Sequence, residues 1–442
     1  MLGVLARIGL TRPELRAWAM YDWANSGYVT TIISTLFPIY YATVAAAGLP
    51  HEEATANYAT ASAVALGSVA VLSPVLGALS DRAGVLKRLL GAFLGVGVLS
   101  TAALAGVGRG DWVWALVLFG LGNVGVTGSI VFYDALLRHI ARDDELDAVS
   151  TGGYALGYLG GGVLLALQLV CVLRPGWFGL ADAAAASRAA FVATAVWWLV
   201  FSLPLFLRIP EPRPAGAVNG QRRLSVRGTF AQLKGTFGEL RLHTQALKLM
   251  AAYLLYSDGI GTIIRMATLY GTEVGIGQGA LIGALLLTQG VGIPCSVLFG
   301  RVAGRVGTKR ALLFTLAVYC GVTALAYFMR TAVHFFALAL LVGMVQGGSQ
   351  ALSRSLFAQM VPRHKSAEFF GLFSVFEKTT AILGPMLMAA AIHVTGSSRG
   401  AVLSLLAFFI SGAWVLGRID VEAGRRAARE AEAHAGLAAG GR

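Results

Sequence analysis

Ionisable side chains are scarce in the long apolar stretches of this sequence, so each one there is a candidate for binding or proton transfer. Asp258 and Arg265 stand seven residues apart, which on a helix places them on one face with about 10 Å between them. A zwitterion fits this gap, with its ammonium group toward Asp258 and its carboxylate held in a bidentate way by Arg265. The alternative is that each residue pairs with a neighbouring helix.

Two more apolar stretches carry charges. Asp134 stands four residues before Arg138, a spacing typical of an intrahelical ion pair, although Asp134 and its neighbour Tyr133 can instead face a central cavity. Glu377 and Lys378 are adjacent and point about 100° apart on a helix, so one of them faces such a cavity and the other pairs with a neighbouring helix. Tyr133, Asp134, Glu377 and Lys378 are therefore further candidate substrate contacts.

The stretch "YDWANSGY", residues 21–28, opens the first apolar run with polar and aromatic groups. On a helix Tyr21, Asn25 and Tyr28 share one face, and Asp22 lies next to it. Asn25 and Tyr28 are predicted substrate contacts. Asp22 stands only about five residues into the helix, so a gate or proton-handling role at the inner mouth is favoured over a substrate contact.

The elements that position these residues are membrane helices. Hydrophobic residues make up 56% of the chain and charged residues 13%, with a mean hydropathy of +0.70; a soluble domain carries about a quarter charged residues. A bilayer core needs about 20 apolar residues per helix. Twelve stretches meet this length, near 17–46, 57–80, 89–108, 112–138, 151–173, 188–209, 246–271, 279–303, 309–329, 334–360, 368–394 and 399–418.

The spans divide the chain into two six-helix bundles, 1–209 and 246–418. Between them, 210–245 reads as a cytoplasmic linker with an amphipathic helix lying on the interface. The last segment, 419–442, reads as a cytoplasmic tail. The fold class expected is an all-α membrane protein.

The distribution of positive charge predicts the orientation. The net charge is +13, and most of the 35 Lys and Arg residues fall in loops that lie on one side if both termini are cytoplasmic. The basic charge therefore reports topology in the cell membrane, and nucleic acid is not an expected partner. The three cysteines lie in apolar segments without paired spacing, so neither a disulfide nor a metal site is expected.

An internal repeat relates the two halves. The segments "GALSDRAGVLKR" and "GRVAGRVGTKR" begin at Gly77 and Gly300, 223 residues apart. A second repeated pattern is an Arg followed five positions later by an acidic residue. It occurs once in each half, as Arg142 with Asp147 and as Arg363 with Glu368, and the two copies are 221 residues apart. Two repeated patterns in matching loops indicate duplication of a six-helix unit.

These features resemble the major facilitator superfamily, whose loop motif matches Gly77-x3-Asp81-Arg82-x-Gly84-x2-Lys87-Arg88. "FYDALLRHI", "GYALGYLGGG", "LLYSDGIGTI" and "QALSRSLFAQMVP" further resemble the branch that contains the fungal vacuolar amino-acid effluxer and its bacterial relatives. The resemblance implies the major facilitator fold and transport by alternating access. It also implies a gating role for Asp81, with Arg82, Lys87 and Arg88 as the other motif residues.

Helix electrostatics give Asp81 a partner. The carboxylate lies at the end of span 2, beside carbonyl groups that repel it, whereas span 11 begins on the same side with free N–H groups. Asp81 is therefore predicted to cap span 11 and to latch the two halves; a surface ion pair with Arg82 or Arg88 is the alternative. Gly304 occupies the matching position of the second repeat, so the reciprocal latch onto span 5 is predicted to be missing and gating to be asymmetric.

The function expected is secondary active transport of a small polar solute by a monomer. An amino acid or similar zwitterion and export are favoured, with protons as a possible coupling ion and no other cofactor. An exporter of drugs or metabolites is the alternative within this class, and a non-transporting receptor or scaffold is the alternative outside it. No nucleophile with a partnered base, metal cluster or cofactor loop is visible, so an enzyme is not expected.

Overall fold

The computed structural model describes residues 8–212, 243–395 and 397–440, and over these ranges the chain forms helices joined by loops. The first six helices, α1 to α6, are Pro13–Ala45, His51–Ala83, Leu86–Ala103, Trp112–Ile140, Leu146–Leu173 and Ala183–Arg208. The next five, α7 to α11, are Thr244–Glu273, Gln278–Val306, Thr308–Tyr327, Ala332–Gln359 and Ser366–Thr395. Helix α12 comprises Ser398–Ser404 and Leu406–Gly417, and α13 is Val421–Gly440.

The helices follow the predicted spans to within a few residues. Within the described residues, eleven helices are long and apolar enough to cross a membrane. Of the helices that match the twelve predicted spans, α11 is the one outside this set, and its 30 residues are about 45 Å long at 1.5 Å per residue. Large apolar side chains such as Val71, Leu99 and Leu207 are exposed along these helices, as expected of a surface that faces lipid. Most of the predicted linker lies outside the described residues, so its amphipathic helix stays a prediction.

The helices pack both within and between the two halves of the chain, α1–α6 and α7–α12. In the first half α1 packs against α5 and α6, and α3 packs against α4 and α6. In the second half α7 packs against α11 and α12, and α8 packs against α10. The halves meet where α2 lies along α11 and where α5 lies between α8 and α10. The division into separate domains stays a prediction.

Helix α1 is not a regular α-helix throughout. It widens into π-helical turns at Val29–Ile33 and at Tyr41–Ala45. Side-chain hydroxyls bond back to backbone carbonyls at this point, from Ser34 to Val29 O (3.0 Å) and from Thr35 to Thr30 O (2.8 Å). Such bonds compete with the helical ladder, which explains why the regular turn opens here.

One face of the molecule carries the loops α2–α3, α4–α5, α8–α9 and α10–α11, and we call it the basic face. Basic residues cluster in and beside these loops: Arg82, Lys87, Arg88, Arg142, Arg305, Lys309, Arg310, Arg363 and Lys365. The halves touch closely near this face. A Cβ added to Gly77 of α2 would lie 2.3 Å from the carbonyl oxygen of Ala367 on α11, and one added to Gly300 of α8 would lie 2.2 Å from Thr151 Oγ1 on α5. The repeated glycines therefore permit the same close approach in both halves.

We expect Gly77→Ala to push α2 away from α11, because the methyl group meets backbone atoms that cannot rotate aside. The expected loss is about 1–3 kcal/mol of stability, measured as a lower melting temperature of the protein purified in detergent. Gly67→Ala is the matched control on the same helix, because nothing lies within 4 Å of its added Cβ. Equal melting temperatures for the two variants would contradict the close contact.

Candidate functional site

A buried arginine on α10 joins the two halves. The guanidinium of Arg354 donates from Nη1 to Asp134 Oδ1 (3.0 Å) on α4 and from Nη2 to Asp22 Oδ2 (3.3 Å) on α1. It also binds α5, donating from Nε to Ser150 Oγ (2.9 Å) and from Nη2 to Ser150 O (3.0 Å). Arg354 is only 5% exposed. One side chain of the second half thus holds three helices of the first.

Aromatic rings surround this guanidinium. The rings of Trp18, Tyr133 and Tyr154 have their centroids 4.7, 5.6 and 4.6 Å from Arg354 Cζ. Trp18 stacks on Tyr133 at 4.4 Å, and the Tyr133 hydroxyl donates to Asp22 Oδ2 (2.8 Å). Cation–π contacts contribute up to about 2 kcal/mol where water is excluded. The rings therefore stabilise the charge and fix the orientation of the Asp22 carboxylate.

Glycines of "GYALGYLGGG" bring α5 close enough to α1 for this cluster to form. A Cβ on Gly153 would lie 2.5 Å from Asp22 Oδ2, and a Cβ on Gly157 would lie 2.7 Å from Ser26 Oγ. Any larger residue would displace the carboxylate from Arg354. The glycine-rich stretch is thus a packing surface for the polar face of α1.

A third carboxylate belongs to the same region. Glu377 on α11 lies close enough to Asp134 and Tyr154 to interact with both electrostatically. Asp22 and Asp134 thus bind Arg354 directly, and Glu377 adds a carboxylate near Asp134. The side chain of Lys378 lies outside the described part of the chain.

Asp258 has a different neighbourhood, on α7. It is fully buried, and a Cβ added to Gly384 of α11 would lie 2.9 Å from Asp258 Oδ1 and 1.9 Å from Thr262 Oγ1. The side chain of Arg265 lies outside the described residues, so the zwitterion clamp between Asp258 and Arg265 stays a prediction. In this conformation the Asp258 carboxylate is enclosed by α7 and α11.

Residues on the polar face of α1 lie in two environments. Asp22 belongs to the Arg354 cluster, whereas Tyr28 and Asn25 are buried away from it. Tyr28 is fully buried inside the first half, with its ring 5.1 Å from that of Trp198 on α6 and its hydroxyl against Gly122 on α4. In this conformation the Tyr28 side chain fills a gap between helices of its own half, and its contact with substrate stays a prediction. Asn25 is buried too, and its Nδ2 has no hydrogen-bond partner among the described residues.

The intrahelical pair predicted between Asp134 and Arg138 does not form. Asp134 binds Arg354 instead. Arg138 lies one turn nearer the basic face, where it binds Asp143 (2.6 Å), Val361 O (3.0 Å) and Glu432 (3.3 Å). The four-residue spacing places Asp134 and Arg138 on the same side of α4. Each of them nevertheless pairs with groups outside α4 rather than with the other.

The contact predicted for Asp81 is confirmed. Its carboxylate accepts from the backbone N–H groups of Ala367 (3.2 Å, Oδ1) and Glu368 (2.8 Å, Oδ2) at the start of α11. Both are free donors of a helix N-terminus, and the helix dipole favours the negative charge there. This bond crosses between the two halves at the basic face.

The other motif residues do not join this contact. Lys87 binds within its own half, where Nζ donates to the last carbonyls of α6, Phe206 O (3.0 Å) and Ile209 O. The repeated Lys309 does the same at the end of α12, donating to Gly417 O and Ile419 O (both 2.7 Å). Arg88 is exposed and Arg82 is half-buried, and neither has a bond to the second half among the described contacts. In this conformation the lysine of each repeat caps the last span of its own half, and a part for Lys87 in gating stays a prediction.

A second carboxylate, on α5 of the first half, also joins the two halves near the basic face. Asp147, in the first turn of α5, accepts from Ser355 (2.5 Å) and Gln359 (3.1 Å) on α10 and from Thr308 (2.6 Å) at the start of α9. The sequence predicted no latch here because Gly304 lacks a carboxylate. No acid stands at the end of α8, as predicted, and α5 is instead fastened to the second half by its own acid, Asp147.

Arg354 and Asp147 are the residues that sequence reasoning missed. Arg354 stands six residues before the predicted end of its span, close to the helix terminus where basic residues are common. The signal was its depth together with the hydroxyls of Ser349, Ser353 and Ser355. An arginine among serines more than one turn inside a span indicates a polar contact between helices.

Comparisons with known proteins agree with this architecture. The human organic anion transporter MFSD10 (TETRAN) superposes with a TM-score of 0.67 at 14% identity, over 93% of this chain and 99% of that one. FucP in its outward conformation, a major facilitator superfamily transporter, superposes with a TM-score of 0.65 at 12% identity, over 93% and 99%. The fold is therefore that of a membrane transporter of the major facilitator type.

The family is equally clear from sequence. A family model described as "Vacuole effluxer Atg22 like" matches residues 51–429. The uncharacterized MFS-type transporter YxiO of Bacillus subtilis is 35% identical over 413 residues, 92% of this chain and 94% of that protein. Autophagy-related protein 22 of Yarrowia lipolytica is 27% identical over 314 residues, 64% of this chain and 52% of that protein. The chain belongs to the Atg22-like family, whose members are transporters rather than enzymes, and it spans about half the length of the fungal relative.

Replacing Arg354 is expected to destabilise the protein strongly, because Asp22 and Asp134 lose their shared cation inside the membrane. For Arg354→Gln we expect a loss of about 3–5 kcal/mol, measured as thermal stability in detergent. The triple variant Asp22→Asn, Asp134→Asn, Arg354→Gln should regain part of it, since no unpaired charge remains. Arg363→Gln, at an exposed position, is the control. A triple variant as unstable as the single one would contradict the ion cluster.

Asp81→Asn is expected to loosen the basic face, because a neutral amide interacts more weakly with the N-terminus of α11. Spin labels at the exposed positions Arg208 and Arg305, one on each half, report the separation by pulsed electron resonance. We expect a larger population at long distance. Asp111→Asn, at the opposite face, should leave the distances unchanged. If Asp81→Asn also leaves them unchanged, Asp81 does not latch the halves.

Proposed function

We propose that the protein is a secondary active transporter in the cell membrane that moves a small polar solute by alternating access. The observation that supports this most directly is the Arg354 junction, in which the two halves meet through hydrogen bonds and an ion cluster. When the two halves move apart, these hydrogen bonds and ion pairs break together, and water or a solute takes their place. In this proposal the basic face is cytoplasmic, which agrees with the distribution of Lys and Arg.

The chemistry of the junction supports coupling to a cation. When the basic face opens, Arg354 moves away with the second half, and Asp22 and Asp134 stay together on the first. Two neighbouring carboxylates out of contact with Arg354 favour uptake of a proton or of an ammonium group. Glu377 adds a third negative group from α11. We infer that protons are the coupling ion and that Asp22 and Asp134 receive them.

The same balance of charge favours a substrate that contains an ammonium group, with an amino acid or similar zwitterion as the first choice. Asn25, Tyr133, Asp134, Asp258, Arg265, Glu377 and Lys378 remain the proposed contacts. Export from the cytoplasm is the proposed direction, although a vacuole effluxer, as the family description has it, moves its solute out of a vacuole and so toward the cytoplasm. We propose that one chain is sufficient for transport.

An exporter of more apolar compounds is the second candidate. It is favoured by an apolar cavity within the second half whose lining includes Met266, Tyr270, Met329, Phe335 and Met388. Such a wall accepts a hydrophobic solute without specific polar contacts.

Ligand binding by the purified protein tests the proposal. A solute at 100 times its dissociation constant stabilises the protein by about 2.7 kcal/mol, so melting temperatures are measured with amino acids, sugars, organic acids and apolar drugs at two pH values. We expect zwitterionic amino acids to stabilise it, and their uptake into proteoliposomes to respond to a proton gradient. The single variant Asp22→Asn should bind the solute but lose this response, whereas Asp144→Asn, an exposed control, should keep it.

Two outcomes would contradict parts of the proposal. Stabilisation by drugs alone would favour the second candidate. A zwitterion that stabilises the Asp258→Asn, Arg265→Gln double variant as much as the original protein would exclude the clamp between these two residues.

A further inference from the structure

The last helix, α13, lies across the basic face beneath both halves. It begins with an N-cap, in which Asp420 Oδ1 accepts from Ala423 N (2.9 Å), and Asp420 N donates to Gln245 Oε1 (3.0 Å) at the start of α7. Gly424 and Ala428 are buried on the face that meets the protein, whereas Arg426 and Glu430 are exposed. The helix is thus docked along one face.

One carboxylate of α13 binds both halves at once. Glu432 Oε1 accepts from Arg138 Nη2 (3.3 Å) of α4 in the first half and from the backbone N–H of Arg363 (2.8 Å), between α10 and α11, in the second. Arg138 is 2% exposed, so its charge is largely removed from water. Arg429 adds a contact to the first half, with Nη2 3.6 Å from Asp143 Oδ2.

A second contact of α13 reaches the polar interface between the halves. Arg425 Nη2 donates to Gln359 Oε1 (2.6 Å) on α10, and the amide of Gln359 donates to Asp147 Oδ1 (3.1 Å) on α5. Gly424 lets the helix approach closely, since a Cβ there would lie 2.9 Å from Met360 Cγ. Arg425 and Gln359 therefore connect Asp147 by hydrogen bonds to α13 at the protein surface.

We propose that α13 is a strap that holds the transporter closed at the basic face and must detach before this face opens. Opening separates Arg138 from Arg363, and a single carboxylate oxygen cannot follow both. The strap therefore stabilises the closed state selectively, which is the condition for shifting a conformational equilibrium. The proposal rests on the alternating access proposed above.

The strap also lies beside the pair of helices at which the second repeat has no acidic residue equivalent to Asp81. Asp81 fastens α2 to α11, but Gly304 offers no such group at the end of α8. Asp147, Gln359 and Arg425 provide fastening between α5 and α10 instead. A cytoplasmic partner or a modification that lifts α13 would release these contacts together, so the helix is a natural point of control over the rate of transport.

Neutralising single residues of α13 in the full-length protein tests the strap. With spin labels at Arg208 and Arg305, we expect Glu432→Gln to raise the ratio of open to closed molecules on the order of tenfold, the effect of one charged hydrogen bond. Arg425→Gln should act in the same direction. Glu430→Gln and Arg426→Gln, which change the same residue types on the exposed face of α13, should leave the distances unchanged.

The outcomes distinguish a failure of the strap proposal from a failure of the proposed alternating access. Unchanged distances in Glu432→Gln and Arg425→Gln, together with longer distances in Asp81→Asn, would overturn the strap and leave alternating access intact. If none of the three variants changes the distances at any pH or with any solute, alternating access itself fails. An equal shift in Glu430→Gln would also overturn the strap, because it would show a general effect of charge.

Discussion

The removal of the Arg354 guanidinium from water is the constraint on which the closed structure depends. A charge at membrane depth costs about 2.5–3.5 kcal/mol on insertion scales unless polar partners surround it. Arg354 obtains those partners from α1, α4 and α5. Because the partners belong to the other half, the halves must stay in register while this face is closed. The ion cluster therefore stabilises this conformation, and separation of the two halves would remove the present partners of all its charged groups.

Polar contacts extend from this cluster to the surface. Asp147 lies next toward the basic face and binds hydroxyl and amide groups of α9 and α10. Asp81 follows at the start of α11, and α13 covers the outside. Small residues such as Gly77 and Gly300 bring the backbones together between these points.

Duplication explains part of this arrangement and divergence explains the rest. Lys87 and Lys309 perform the same task in the two halves, because each ties the start of the third span of its half to the end of the sixth. The acids differ: Asp81 has no counterpart at Gly304, and Asp147 works from the opposite helix. Structural tasks inside a half have stayed symmetric, whereas the contacts between halves have not.

Much of the fold could be read from local patterns. Apolar stretches of about 20 residues predicted the spans, because each membrane helix satisfies its own backbone and needs no distant partner. The Asp81 cap was predictable for a similar reason, since both helix ends were known and their dipoles have fixed signs. The pairing of charges was not predictable. Arg354 and Asp22 are 332 residues apart in the chain, and the choice between Arg138 and Arg354 as the partner of Asp134 depends on how α4 and α10 are rotated against each other. Helix rotation is set by the packing of all neighbours together, so only the assembled tertiary structure decides which buried charges meet.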